Sequence, residues 1–191
     1  MRKPFVLSLS LILLFGLMAC GPAPAPAPQV MIYSGYVTGV WFTEELPGDS
    51  ACADRDTLHV GRTYDGKDIF TLLRVAVPED VDVALVQEAW LCLKIAENNG
   101  GLALLAGPVT QPWEEGITRE EARALVGTLE SARQALTPEG WLQVDIMGHV
   151  KAWSGGELGL ALFEGNGSTE TVFEADGGGE FRPRLEIIIS K

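Results

Sequence analysis

From Val30 onward, hydrophobic and polar residues alternate with a period near two, which is the pattern of half-buried strands. Segment 86–95 (VQEAWLCLKI) shows it most clearly. There Ala89, Leu91, Leu93 and Ile95 share one side, and Trp90, Cys92 and Lys94 share the other. Similar runs fall at 33–42, 56–61 and 69–77, then at 102–107, 141–146, 158–163, 169–175 and 184–190. Turn residues separate them, among them Asn98-Asn99-Gly100-Gly101, Gly165-Asn166-Gly167 and Gly177-Gly178-Gly179. Many short strands spaced in this way predict an all-β fold, an antiparallel β-sandwich of jelly-roll type.

Segment 118–136 breaks the period. Ala122, Leu125, Val126, Leu129, Ala132 and Leu136 recur at helical spacing, and Thr118 with Glu121 has the form of a capping box. The pattern predicts one amphipathic helix inserted between strands and laid on the sandwich, although Gly127 costs it about 1 kcal/mol relative to alanine. A single helical turn is predicted at 146–153, with Asp145 capping it.

The N-terminus is organised differently. Arg2 and Lys3 precede an apolar run from Phe5 to Leu17, the layout of a secretory signal peptide. Leu17-Met18-Ala19-Cys20 resembles the bacterial lipobox. That resemblance implies removal of residues 1–19, lipidation of Cys20 and attachment to a lipid bilayer. Pro22, Pro24, Pro26 and Pro28 make residues 20–29 an extended spacer of about 25 Å. Residues 30–191 form the one domain. Gly21, rather than an aspartate after the cysteine, favours the outer membrane or cell surface.

The chain has 14 Lys+Arg and 26 Asp+Glu, a formal net charge of −12. Loss of Arg2 and Lys3 leaves 12 against 26, or −14. Nucleic-acid binding is excluded on this balance, because it needs a basic face to displace counterions. Beyond Cys20 stand Cys52 and Cys92. In an oxidising compartment they are disulfide candidates, and two separate thiols are the alternative.

Little of the sequence looks catalytic. His59 and His149 are the only histidines, and neither sits in a metal-binding spacing. His59 falls on the polar side of its strand, which predicts an exposed imidazole. No nucleophile elbow or phosphate loop occurs, so the expectation is a protein that is not an enzyme. Asp54, Asp56 and Asp65 could give oxygen ligands to a structural calcium ion, without EF-hand spacing. Otherwise no cofactor is implied. Trp113, Trp141 and Trp153 are expected in the core or at its edge. Arg182 and Arg184 flank Pro183 at the last strand, where ion pairs are expected.

Several segments in order carry a further resemblance. They are ADRDTLHVG (53–61), TLLRVAVPEDV (71–81), EAWLCLKI (88–95), PWEEGIT (112–118), GWLQVDIMGHVKAWSGGELGLAL (140–162) and FRPRLEIII (181–189). Together they resemble the DNRLRE-type domain, a β-sandwich of bacterial surface proteins grouped with a carbohydrate-binding-module family. Val75, Arg119 and Met147 depart from that pattern. The resemblance implies polysaccharide binding. Sugars stack on exposed aromatic faces beside carboxylates and amides, which makes Trp41, Tyr64 and Trp90 the candidates. An acidic polymer would need a local basic face, to which Arg62, Lys67 and Arg74 could contribute. The alternative is a structural or assembly protein of the envelope that binds another protein.

Overall fold

A computed structural model describes residues 27–34, 37–43, 56–63, 65–98, 103–114, 116–152, 157–166, 170–176 and 180–190. The leader, Cys20 and most of the spacer lie outside the described residues, as do Cys52, Asp54, Tyr64 and Trp153.

Every strand pairing is antiparallel, and the strands join into one curled sheet of twelve. The first strands are β1 (Gln29–Ser34), β2 (Val37–Phe42), β3 (Thr57–Arg62) and β4 (Asp68–Ala76). A 3-10 turn at Val83–Leu85 leads into the long β5 (Val86–Asn98), and β6 (Leu104–Pro108) follows. Next come helix α1 (Arg119–Ala124), β7 (Glu130–Ser131), β8 (Gln134–Leu136) and β9 (Trp141–Asp145). Helix α2 (Met147–Ala152), β10 (Glu157–Glu164), β11 (Thr171–Glu174) and β12 (Arg184–Ile189) complete the described chain.

Two stretches of the sheet supply most of the buried core. In one, the order is β1-β12-β5-β9-β8. In the other, β4 lies between β2 and β10, and β10 continues to β6 and β7. Strand β3 connects them: its first residues pair with β11, which lies along the end of β5, and Gly61 and Arg62 pair with β4. The alternation seen in the sequence then sets the core. Leu91, Leu93, Val144 and Ile187 from one stretch meet Leu73, Val75, Leu160 and Leu162 from the other, all at 0% exposure. Each such side chain gains about 1.5–3 kcal/mol by leaving water.

A second apolar cluster lies on the opposite face of β4. Phe42, Phe70 and Phe163 stack there, with ring centres 5.1 and 4.7 Å apart. Chain 109–129, including α1, covers them with Trp113, Ala122, Leu125, Val126 and Leu129.

The expected helix over 118–136 is corrected here. Its capping box forms, but α1 ends at Ala124 with Leu125 as its C-cap. Val126 bridges to Val109, and the Gly127 N–H donates to the Pro108 carbonyl at 2.8 Å. A Cβ on Gly127 would stand only 3.0 Å from Pro108 Cγ, so glycine permits this close approach. The remaining residues become β7 and β8, and Leu136 ends 62% exposed. A helix continued through Gly127 would cost about 1 kcal/mol relative to alanine there, and β6 and β9 offer the following residues other backbone partners. The turn expected at 146–153 is α2, and Asp145 Oδ1 accepts from the Met147 N–H at 2.9 Å.

Candidate binding face

Because α1 covers the β4 side, the outer face of β1-β12-β5-β9-β8 is left to polar and aromatic side chains. Register fixes their neighbours. Ile32 stands opposite Glu186, Glu186 opposite Trp90, and Trp90 opposite Asp145. One row further along β5, Cys92 lies between Arg184 and Gln143; beyond it, Lys94 faces Trp141. The i, i+2 alternation of Trp90, Cys92 and Lys94 places them on this face.

Trp90 is partly exposed and ringed by polar groups. Its indole N–H donates to Glu88 Oε2 at 2.9 Å. The Arg133 Cζ lies 5.1 Å from its ring centre, and Arg133 is also 3.9 Å from Asp145 Oδ2. Gln143 donates to Glu186 at 3.3 Å, and Arg184 donates to the same carboxylate at 3.0 Å. Trp141 differs from Trp90: it is 8% exposed, with Arg184 4.2 Å and Lys94 5.9 Å from its ring centre. Its faces are occupied, so its role is packing, as the sequence suggested. Glu88, Asp145 and Glu186 balance Lys94, Arg133 and Arg184. The face is therefore close to neutral in an acidic protein.

Cys92 lies beneath these residues as a free thiol at 0% exposure. Burial, and then the nearby Glu186 carboxylate, push its pKa up to about 12. It is inert rather than nucleophilic.

Trp41 is elsewhere. It stacks on His59 with ring centres 4.0 Å apart. His59 stands opposite Val172, which pairs with Glu97. Glu97 is seven positions from Trp90, or about 23 Å along β5. Trp41 and Trp90 do not form one aromatic cluster.

The exposed imidazole expected at 59 is also corrected, since the ring is only 16% exposed. Its Nδ1 contacts Glu170 Oε1 at 2.5 Å, and its Nε2 contacts the Thr57 hydroxyl at 2.8 Å. Thr57 and His59 share a face because they are two apart on a strand, which the sequence does signal. Glu170, 111 positions away, carries no local signal. The result is a clasp joining β2, β3 and the residue before β11.

Asp56 and Asp65 lie beyond opposite ends of β3. Asp65 accepts from the Thr63 hydroxyl and pairs with Lys67 at 3.4 Å; the Thr63 bond foremost lowers its pKa. Among the described residues no group of three or more His, Cys, Asp or Glu could hold a metal ion. Arg74 lies over Trp113 at 4.7 Å and donates to its carbonyl, so Arg62, Lys67 and Arg74 do not combine into one face.

Compared with known proteins, the chain matches no family model and no curated protein. The all-β fold and the side-chain geometry are therefore what a functional reading has to rest on.

Proposed function

We propose that this is a lipid-anchored envelope protein, tethered through Cys20, whose non-catalytic β domain binds a polysaccharide on the face around Trp90. The DNRLRE-like order of segments and the lipobox-like leader motivate the reading. The observation that carries it is the partly exposed Trp90 ring set among Glu88, Asp145, Glu186 and Gln143 on a charge-balanced sheet face. A pyranose ring could stack on the indole while its hydroxyls exchange hydrogen bonds with the flanking carboxylates and amide. A neutral glycan suits the face best, because the charge of −14 on the chain without Arg2 and Lys3 (12 Lys+Arg against 26 Asp+Glu) disfavours an acidic polymer. Retention of the detergent-solubilised full chain on immobilised neutral polysaccharides, lost in Trp90→Ala, is the test.

One observation favours a second reading, an assembly protein of the envelope. Strand β1 lies at an end of the sheet order, carries no charge, and exposes Val30 at 56% and Ile32 at 57%. Such an edge can accept a strand from a partner protein. Crosslinking in envelope preparations, abolished by Ile32→Lys, would support this reading over the glycan.

A further inference from the structure

Phe181 stands three residues before β12, is 39% exposed, and belongs to neither apolar cluster. Burial in the core therefore does not account for this phenyl ring. Beside it is Lys94, whose Nζ lies 5.4 Å from the Phe181 ring centre and 5.9 Å from that of Trp141. Lys94 also donates to the Glu139 carbonyl, which fixes its head near both rings. Through Lys94, Phe181 joins the outer face of β5 that carries Trp90.

Trp90 and Lys94 are four positions apart on one side of β5, which separates them by about 13 Å. The row between them belongs to Cys92, whose thiol is buried, with Arg184 and Gln143 opposite it on the neighbouring strands. Both donate to the Glu186 carboxylate, Arg184 at 3.0 Å and Gln143 at 3.3 Å. Along β5 the face thus runs from a partly exposed indole, across a band of polar groups, to an exposed phenyl ring.

We infer that this face binds an extended stretch of a linear neutral polysaccharide laid along β5, with one sugar on Trp90 and a later one on Phe181. The inference rests on the glycan reading and adds to it the length and direction of the ligand. A single pyranose ring is shorter than the distance between the two aromatic residues, so only a chain of several units touches both. Units over the polar band meet Arg184, Gln143 and Glu186, whose donors and acceptors suit sugar hydroxyls. Arg184 and Glu186 cancel in charge, so the band favours a neutral chain over a charged one.

The test is retention of the detergent-solubilised full chain on cellulose, mannan and xylan, competed by the matching disaccharide and hexasaccharide. The hexasaccharide should compete at a concentration about tenfold lower than the disaccharide, because it alone reaches both rings. Phe181→Ala should weaken hexasaccharide competition about tenfold and leave disaccharide competition unchanged. Phe181→Tyr, which keeps a ring, should behave as the parent does. The urea midpoint of each variant should stay near that of the parent, since Phe181 lies outside the core. Equal competition by disaccharide and hexasaccharide overturns this inference while retention itself upholds the glycan reading. So does a hexasaccharide response that Phe181→Ala leaves unchanged, or one weakened no more than that of the disaccharide. No retention on any of the three polysaccharides overturns both.

Discussion

The guanidinium of Arg133 lies over the indole of Trp90, 5.1 Å from its ring centre. Arg133 precedes β8, Trp90 sits in mid-β5, and β9 runs between them. The Arg133 side chain is 76% exposed, so it can leave the ring at little cost. An exposed cation–π contact is worth about 0.5–1 kcal/mol. Arg133→Ala is therefore expected to lower unfolding stability by no more than about 1 kcal/mol in a urea melt. It should leave glycan retention intact, because the ring and its flanking carboxylates remain.

His59 ties three parts of the sheet together through Trp41, Thr57 and Glu170. His59→Ala removes a ring stack and the contacts His59 makes with Thr57 and Glu170, a loss of about 2 kcal/mol. Chemical denaturation would read this as a lower midpoint with an unchanged slope. A midpoint equal to that of the parent protein would show that the clasp contributes nothing.

The capping box on α1 adds a pH dependence. Hydrogen bonds from the Thr118 backbone, and next its hydroxyl, hold the Glu121 carboxyl below its ordinary value of 4.5. The folded state thus prefers the carboxylate. Its contribution is complete above the unfolded pKa near 4.5 and is lost as pH falls through the depressed folded value. Thr118→Ala should cost about 1 kcal/mol at neutral pH, and the deficit should shrink below pH 4. Melts at pH 7 and pH 3.5 check both parts.

Cys92 is a buried thiol with its pKa near 12. Iodoacetamide at pH 8 should leave it unlabelled in the folded protein and label it rapidly once denatured without reductant. A mass shift at Cys92 that appears only after reduction would instead show that it is held in a disulfide, with Cys52 the candidate partner.

Strands were the most legible part of the sequence, because burial on one side imposes a period of two. In 86–95 the pattern separates Leu91 and Leu93, which enter the core, from Trp90 and Lys94, which face outward. The same reasoning misjudged 118–136. There the apolar residues at helical spacing serve two different clusters: Leu125, Val126 and Leu129 pack with Phe70 and Phe163, whereas Ala132 packs against the main core. Spacing cannot tell one helix face from a chain passing between two clusters. The site was only half visible for a related reason. Alternation places Trp90 on the outward side of β5, but Arg133, inside the misread segment, and Glu186, brought alongside by β12, arrive through tertiary pairing.

The central claim rests most directly on retention of the detergent-solubilised full chain on a panel of neutral polysaccharides, comparing the parent with Trp90→Ala. The account predicts saturable retention on at least one glycan, reduced more than tenfold by the substitution while the urea midpoint stays near that of the parent. Retention that survives Trp90→Ala, or none on any glycan, would contradict the binding face described and leave the β1 edge as the surface to pursue.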